Sequence, residues 1–336
     1  MVMLNIAIIG AGGIAKSHVG SLQKIPNTKI VGIIDINRER AEAMAATHNA
    51  MVYDDPEDCL GEVDLVYVLT PPSSHKELVL KAINAGKHVV CEKPISSSLE
   101  DAEIMVQAAR TAKVKLIIAF NMRFRKGFRR LKKIFASGEL GNLVSFWSQR
   151  IGMGVGQGYN WRTDPKLMCG MSIESLSHDI DLIRWIAGDI IDVRANVFES
   201  RADLPGFDNN ANVVFSLANG STAIIHASWS SHLGMNSRGI IGTKGTAFVE
   251  GPGLWDLKNF HWKTQDMEGE MIEVINDAFD SCSYLEENQH FIDCIVNDLQ
   301  PTITGEDGLA ALRVSQAILE SYHKKVVVSV VTTSVV

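Results

Sequence analysis

An apolar run that breaks into closely spaced glycines constrains this chain more than any other feature. Asn5 to Ile9 reads as a buried strand, and it leads directly into Gly10-Ala11-Gly12-Gly13-Ile14-Ala15 and then into a helical pattern. In such a G-x-G-x-x-A loop the first glycine allows the tight turn, the second lets backbone N–H groups approach a pyrophosphate, and the alanine keeps helix and strand close. Asp35 ends the next apolar run, about 20 residues further on, where a carboxylate accepts from ribose hydroxyls and repels a 2′-phosphate. Gly10, Gly12, Gly13, Ile14 and Asp35 are therefore expected to bind NAD, while Arg38, close behind, keeps NADP open.

Further apolar runs at 29–35, 51–53, 65–69, 88–91 and 115–119 alternate with helical patterns, the sequence form of βαβ units around a parallel sheet. Most are continuous rather than alternating, as expected when both sheet faces are covered. After residue 121 the pattern changes. A helix near 128–137, a strand at 144–151, a glycine-rich loop and a helix over 173–187 precede closely spaced strands at 193–199, 211–217, 221–230, 236–241 and 246–250. Asn219-Gly220 and the segment 242–245 are turn signals for an antiparallel sheet. The expected fold is an α/β Rossmann domain over 1–121 followed by an α+β domain over 122–336 with an open, mainly antiparallel sheet. Helices near 285–297 and 306–323 fall in the second domain on this reading, and the β-branched end, 326–336, is expected to pair as an edge strand or at a subunit contact.

A chain of 336 residues exceeds the usual single core, which agrees with two domains. No apolar run approaches the ~20 residues of a membrane-spanning helix, so no membrane partner is expected. A net charge of −7 gives no general attraction to nucleic acid. Arg123, Arg125, Lys126, Arg129, Arg130, Lys132 and Lys133 crowd one segment, which reads as a solvated helix face. The cysteines number 5, are scattered, and form no C-x-x-C pair, which fits a reducing cytoplasm.

Chemistry-bearing residues gather at the predicted strand ends. Thr70-Pro71-Pro72 with His75 follows one strand, and Glu92-Lys93-Pro94 follows another. Pro94 restricts the backbone of Lys93, whose ammonium suits a developing alkoxide. In the second domain Glu174-x-x-x-His178-x-x-Asp181 places three side chains on one helical stripe, with Leu176, Ile180, Ile183 and Ala187 on the apolar side. An imidazole with an ordinary pKa of about 6.5 suits proton transfer at neutral pH, and a carboxylate can orient it. Glu174 and His178 could also ligate a metal, but a third ligand is not evident, so none is expected.

These motifs occur in order together with Ala85-Gly86-Lys87-His88-Val89, Phe120-Asn121-Met122-Arg123-Phe124 and Ser177-His178-Asp179-Ile180-Asp181. In this the chain resembles the glucose-fructose oxidoreductase, inositol dehydrogenase and rhizopine-catabolism (Gfo/Idh/MocA) family along essentially its whole length. The resemblance implies that Lys93 hydrogen-bonds the reacting hydroxyl or carbonyl, that His178 acts as acid and base, and that Asp181 and Arg123 hold substrate. It also implies cofactor contacts at Thr70, Pro71, His75, Glu92, Lys93 and Asn121. Where the family commonly has a glycine triplet and an aspartate, this chain has Met168-Cys169-Gly170 and Glu174. The longer Glu174 is left with two roles, orienting His178 or binding substrate. In the preceding loop Tyr159, Trp161 and Arg162 offer an aromatic platform and donors suited to a polyol.

The expected activity is hydride transfer between NAD(P) and a secondary alcohol of a sugar, inositol or sugar derivative. Its rivals are glycoside cleavage or elimination with NAD retained, and a non-catalytic cofactor-binding sensor. A homodimer or homotetramer is expected from the resemblance.

Overall fold

The computed structural model describes residues 3–154, 161–204, 206–253, 256–277 and 283–330. Strands and helices alternate through the first part of the chain: β1 (Leu4–Ile9), α1 (Gly13–Leu22), β2 (Thr28–Ile34), α2 (Arg38–His48), β3 (Met51–Val52), β4 (Leu65–Val68), α3 (His75–Asn84), β5 (His88–Glu92), α4 (Leu99–Ala112) and β6 (Leu116–Ala119). The strands form one parallel sheet in the order β3-β2-β1-β4-β5-β6. All four residues of β4 are fully buried, which is why its sequence is continuously apolar. The order reverses between β1 and β4, so the carboxyl ends of these strands flank the switch point where open α/β sheets take ligands.

The remainder is α5 (Lys126–Ala136), β7 (Leu143–Ile151), α6 (Met171–Glu174), α7 (Ser177–Ala187), β8 (Ile190–Phe198), β9 (Asn210–Leu217), β10 (Thr222–Ser228), β11 (Met235–Gly242), β12 (Gly245–Gly251), β13 (Leu257–Thr264), β14 (Met271–Asp277), α8 (Ser283–Val296), α9 (Gly305–Lys324) and β15 (Val328–Ser329). Its nine strands pair in the order β14-β13-β12-β11-β7-β10-β9-β8-β15. Among the described residues only the β7–β10 pairing of this sheet is parallel, so the sheet is mixed and mainly antiparallel, as the turn signals predict. Asn219-Gly220 makes the β9–β10 turn, with Gly220 at φ +83. Val328–Ser329 pairs with β8 at the sheet edge; the residues after 330 lie outside the described ones.

Two compact units result, Met1–Asn121 with Cys282–Leu309 and Met122–Ser281 with Ala310–Val336. The segment carrying α8 thus belongs with the Rossmann sheet, not with the second domain as the linear reading has it. The cause is a buried polar knot. Asn288 on α8 donates to Ser21 Oγ at 2.6 Å and accepts from the Tyr67 hydroxyl at 2.8 Å, groups 267 and 221 positions away in sequence. Periodicity carries no information about such pairings.

Two other expectations change. Neither β13 nor β14 is predicted; in β13 Lys258, Asn259, His261 and Lys263 interrupt the apolar pattern, although Leu257 and Phe260 are fully buried. The basic segment is not a solvated face throughout. Arg123 and Arg125 are buried, and Arg125 donates to the Asp277 carboxylate at 3.3 Å and to its carbonyl. Arg130 binds Glu273 through two nitrogens, so α5 docks by ion pairs as well as by Phe128, Leu131 and Ile134. Lys126, Arg129 and Lys133 stay exposed. Among the described residues no helix is long and apolar enough to cross a membrane, and Cys59, Cys91, Cys169 and Cys294 are free thiols.

Gly10 is the tightest position of the first sheet. It sits at φ +99, and a Cβ there would lie 2.6 Å from the Leu69 carbonyl oxygen. Gly10→Ala is expected to destabilise the protein by about 1–3 kcal/mol, the scale of such backbone strain, whereas Gly13→Ala meets nothing within 4 Å and should leave the thermal unfolding midpoint in place.

Candidate active site

In the first unit the site is built on strand ends. Gly12 precedes α1 in extended conformation, no side chain caps that helix, and no acid lies in its first turn. Its leading N–H groups are therefore open to an anion. Cβ atoms built on Gly12 and Gly13 meet nothing, so a flat or charged group can come close to the backbone there. Asp35 is half-buried; it accepts from the Ala11 N–H at 2.6 Å and the Asn37 N–H at 2.7 Å, which braces the glycine loop against the end of β2. Arg38 is exposed and donates to Glu42 at 2.9 Å and Asp54 at 2.6 Å, so the cation that keeps NADP open already faces two carboxylates.

The loops after β4 and β5 are tied together by His75. This imidazole is fully buried, with Nε2 at 2.8 Å from the Thr70 carbonyl and Nδ1 at 3.0 Å from that of Pro94 and 3.2 Å from that of Ile95. Burial pushes its pKa down, partly offset by the carbonyl oxygens and Glu92. His75 thus holds the Thr70-Pro71 loop against the segment carrying Lys93, an internal task where sequence reading expects a cofactor contact. Glu92 is likewise turned inward: Oε2 accepts from the Lys93 N–H at 3.0 Å, and Oε1 lies 3.2 Å from His18 Nε2. Lys93 is half-buried, and its bond to Pro94 is cis. Asn121, just past β6, is 3% exposed, and neither amide atom has a partner among the described residues. A buried amide in that state is what a ligand's carboxamide or hydroxyl satisfies. Uncapped helix end, open glycines, ribose-side carboxylate and waiting amide together fit a dinucleotide.

In the second unit the predicted single helix is broken. α6 ends at Glu174 and α7 begins at Ser177, because the Met171 carbonyl accepts from both the Ser175 and Leu176 N–H groups and the Ser177 hydroxyl donates to the Glu174 carbonyl at 3.0 Å. The continuous helical spacing on which a common stripe of Glu174 with His178 and Asp181 would rest is thereby interrupted. Glu174 accepts from Arg162 Nη2 at 2.9 Å and Nε at 3.1 Å, and that guanidinium stacks 4.6 Å from the centre of the Trp161 ring. Asp181 is fully buried against Arg123, with bonds of 2.9 and 2.5 Å, so two residues expected on the substrate neutralise one another. His178 is 3% exposed. Tyr159 lies outside the described residues.

Sequence reading missed Asp179. Its fully buried carboxylate accepts from Ser148 Oγ at 2.6 Å, Arg238 at 2.8 and 3.0 Å, and Arg150 at 3.0 Å. Burial alone would raise its pKa, but Arg238 and then Arg150, with the Ser148 hydroxyl, hold it far below the usual carboxylate range. These donors come from β7 and β11, so the network clamps α7, and His178 with it, to the centre of the sheet. A signal existed: Arg150 shares its strand face with buried Phe146 and Ser148, and Arg238 with Ile240. Inward-facing arginines demand a buried acid. Asp208 acts similarly at α6, accepting from the Ser172 N–H at 2.8 Å and its hydroxyl at 2.6 Å.

Residues 4–120 match the oxidoreductase family with an NAD-binding Rossmann fold, and 128–248 match the GFO/IDH/MocA C-terminal domain. The uncharacterized oxidoreductase YrbE of Bacillus subtilis (strain 168) is 32% identical over 94% of this chain and 93% of its own length. The chain belongs to the Gfo/Idh/MocA family. Its Rossmann domain is accordingly NAD-binding. Myo-inositol 2-dehydrogenase of Thermotoga maritima is 27% identical, over 96% of this chain and 97% of that protein. Levoglucosan dehydrogenase, solved in complex with NADH, superposes with a TM-score of 0.88 at 21% identity, covering 98% of this chain and 99% of that one, a likeness of fold.

Asp179→Asn leaves Arg238 and Arg150 without their buried counter-charge and should destabilise the protein at neutral pH by about 3–5 kcal/mol. Because the folded pKa is depressed, this contribution is complete above the ordinary carboxylate value of about 4 and is lost as pH falls toward the depressed one. Unfolding midpoints followed from pH 7 to pH 2 should therefore converge for wild type and variant at the acid end.

Proposed function

We propose that this protein catalyses reversible hydride transfer between NAD and a secondary alcohol of a sugar, inositol or related polyol. The observation that carries the reading is the placement of Lys93: it follows β5 on the same carboxyl edge as the glycine loop of β1, in a segment fixed by Glu92 and His75. When bound, the nicotinamide accepts or returns the hydride. The Lys93 ammonium stabilises negative charge on the reacting oxygen, and His178 takes and returns its proton. Asn121 holds the carboxamide end of the cofactor or a substrate hydroxyl through its buried amide. Trp161 and the Arg162–Glu174 pair supply an apolar face and polar groups for a polyol ring. Asp181, paired with Arg123, acts by supporting α7 and not as a direct ligand. Support comes also from the inositol dehydrogenases among the relatives, while Arg38, engaged by Glu42 and Asp54, adds nothing in favour of NADP.

Absorbance at the reduced-nicotinamide band, recorded with NAD or NADP and a panel of inositols, aldoses and glycosides, tests this. Turnover should require NAD and a polyol, and Lys93→Ala and His178→Ala should each lower kcat/KM by ~100-fold or more. Glycoside consumption without net NADH would instead support chemistry with retained NAD.

A second copy of the chain is the partner we propose for the open sheet face. Cross-strand registers place Val214, Ile224, Trp147, Gly239, Phe248, His261 and Ile272 in one lateral row on the face opposite Ser148 and Arg238. Val214, Ile224 and Ile272 are 50%, 43% and 55% exposed, a stripe that a monomer leaves wet. Light scattering should give a dimer or tetramer for the wild type, and Val214→Lys with Ile224→Lys should shift it toward monomer.

A further inference from the structure

Hydrogen-bond directions inside the Rossmann unit locate a proton. Asn288 donates from Nδ2 to the Tyr284 carbonyl at 2.9 Å, and a carbonyl can only accept, so the orientation of the amide is fixed. Its Oδ1 therefore faces Tyr67 Oη at 2.8 Å and His18 Nδ1 at 3.1 Å as an acceptor, and Nδ1 must carry hydrogen. The other ring nitrogen, Nε2, lies 3.2 Å from Glu92 Oε1, too close for water between them, with the imidazole fully buried and the glutamate side chain 11% exposed. With no hydrogen between them, a lone pair would face a carboxylate without water to intervene. Either Nε2 or Oε1 holds one proton.

We infer that His18 and Glu92 share a single buried proton and that this pair positions Lys93. The pairing occupies Oε1 and so leaves Oε2 directed at the Lys93 backbone N–H, 3.0 Å away. Without the proton the two acceptors repel, Glu92 rotates, and the backbone that carries the Lys93 ammonium loses its anchor. His18 also belongs to α1, the helix opened by Gly12 and Gly13, so the phosphate end and the reacting end of the cofactor site are joined through this contact. The titratable groups facing Glu92 are His18 from α1, His75 from α3, Cys91 on its own strand and Glu287 from α8, with Tyr67 of β4 beside Glu287. Burial, and then the Glu92 charge, push the Glu287 carboxyl well up, which disfavours a second negative charge beside the pair. Glu92 and His18 are positioning residues, and their functional role rests on the reading of Lys93 given above.

Side-chain nitrogen NMR of histidine-labelled whole protein, with His18→Gln to assign the signal, tests the proton directly. Expected is an Nδ1 that carries hydrogen in the wild type and, in Glu92→Gln, a neutral Nδ1–H ring whose bare Nε2 accepts from the new amide. A wild-type ring with hydrogen on Nε2 alone, or one whose Nε2 carries no hydrogen and accepts no hydrogen bond, overturns the assignment. In the dehydrogenase assay Glu92→Leu, which loses both contacts, should lower kcat by ~10–100-fold with NAD affinity retained, and Glu92→Gln, which can remake both, should recover much of the loss. Equal damage in the two variants, or a loss confined to NAD affinity, overturns the positioning role. A Lys93→Ala variant with full activity sinks the role of Lys93 alone and leaves the histidine spectrum to decide the proton.

Discussion

The second unit depends on one buried carboxylate. Asp179 sits among Arg238, Arg150 and Ser148, and the geometry is good enough that its charge survives complete removal from water. Removing Asp179 leaves the fully buried Arg238 without a counter-charge, so the arrangement tolerates little sliding of α7 along the sheet. That intolerance fixes where His178 stands. Arg123 with Asp181 and Arg125 with Asp277 repeat the device at the two ends of the segment entering α5, so charge pairing as well as apolar contact specifies how these helices lie on the strands.

In the first unit hydrogen bonds that join no opposite charges do the comparable work. His75 staples the loop after β4 to that after β5, Asp35 braces the glycine loop from β2, and Asn288 joins α8 to α1 and β4. Each bond is modest in net worth, but a buried donor or acceptor left unmade costs about 1–3 kcal/mol, so the loops are held to their places. Lys93, which we propose to act on the reacting oxygen, needs such holding, because its side chain is long and flexible.

Departures from the common family pattern become intelligible at the same level. Glu174 reaches Arg162, and Arg162 lies over Trp161, so the longer carboxylate organises the neighbouring loop residues. The break between α6 and α7 interrupts the helical spacing that would set Glu174 on one stripe with His178. A spacing of four residues implies a shared face only while the helix continues, and competing hydroxyl and carbonyl bonds at Ser177 and Met171 end it here.

From the sequence alone came the Rossmann strands, the glycine loop with Asp35, the mainly antiparallel second sheet and the motif residues Lys93 and His178. Those features are local: glycine's missing Cβ, runs of apolar residues and turn dipeptides act within a few positions, so they are written where they act. Tertiary structure alone decided the partners of the buried polar groups. That Asp179 answers arginines on two strands, that Asp181 belongs to Arg123, that Glu92 turns toward His18, and that α8 joins the first unit all follow from desolvation. A polar group taken from water must find a partner wherever the fold brings one, and sequence distance has no bearing on which it finds.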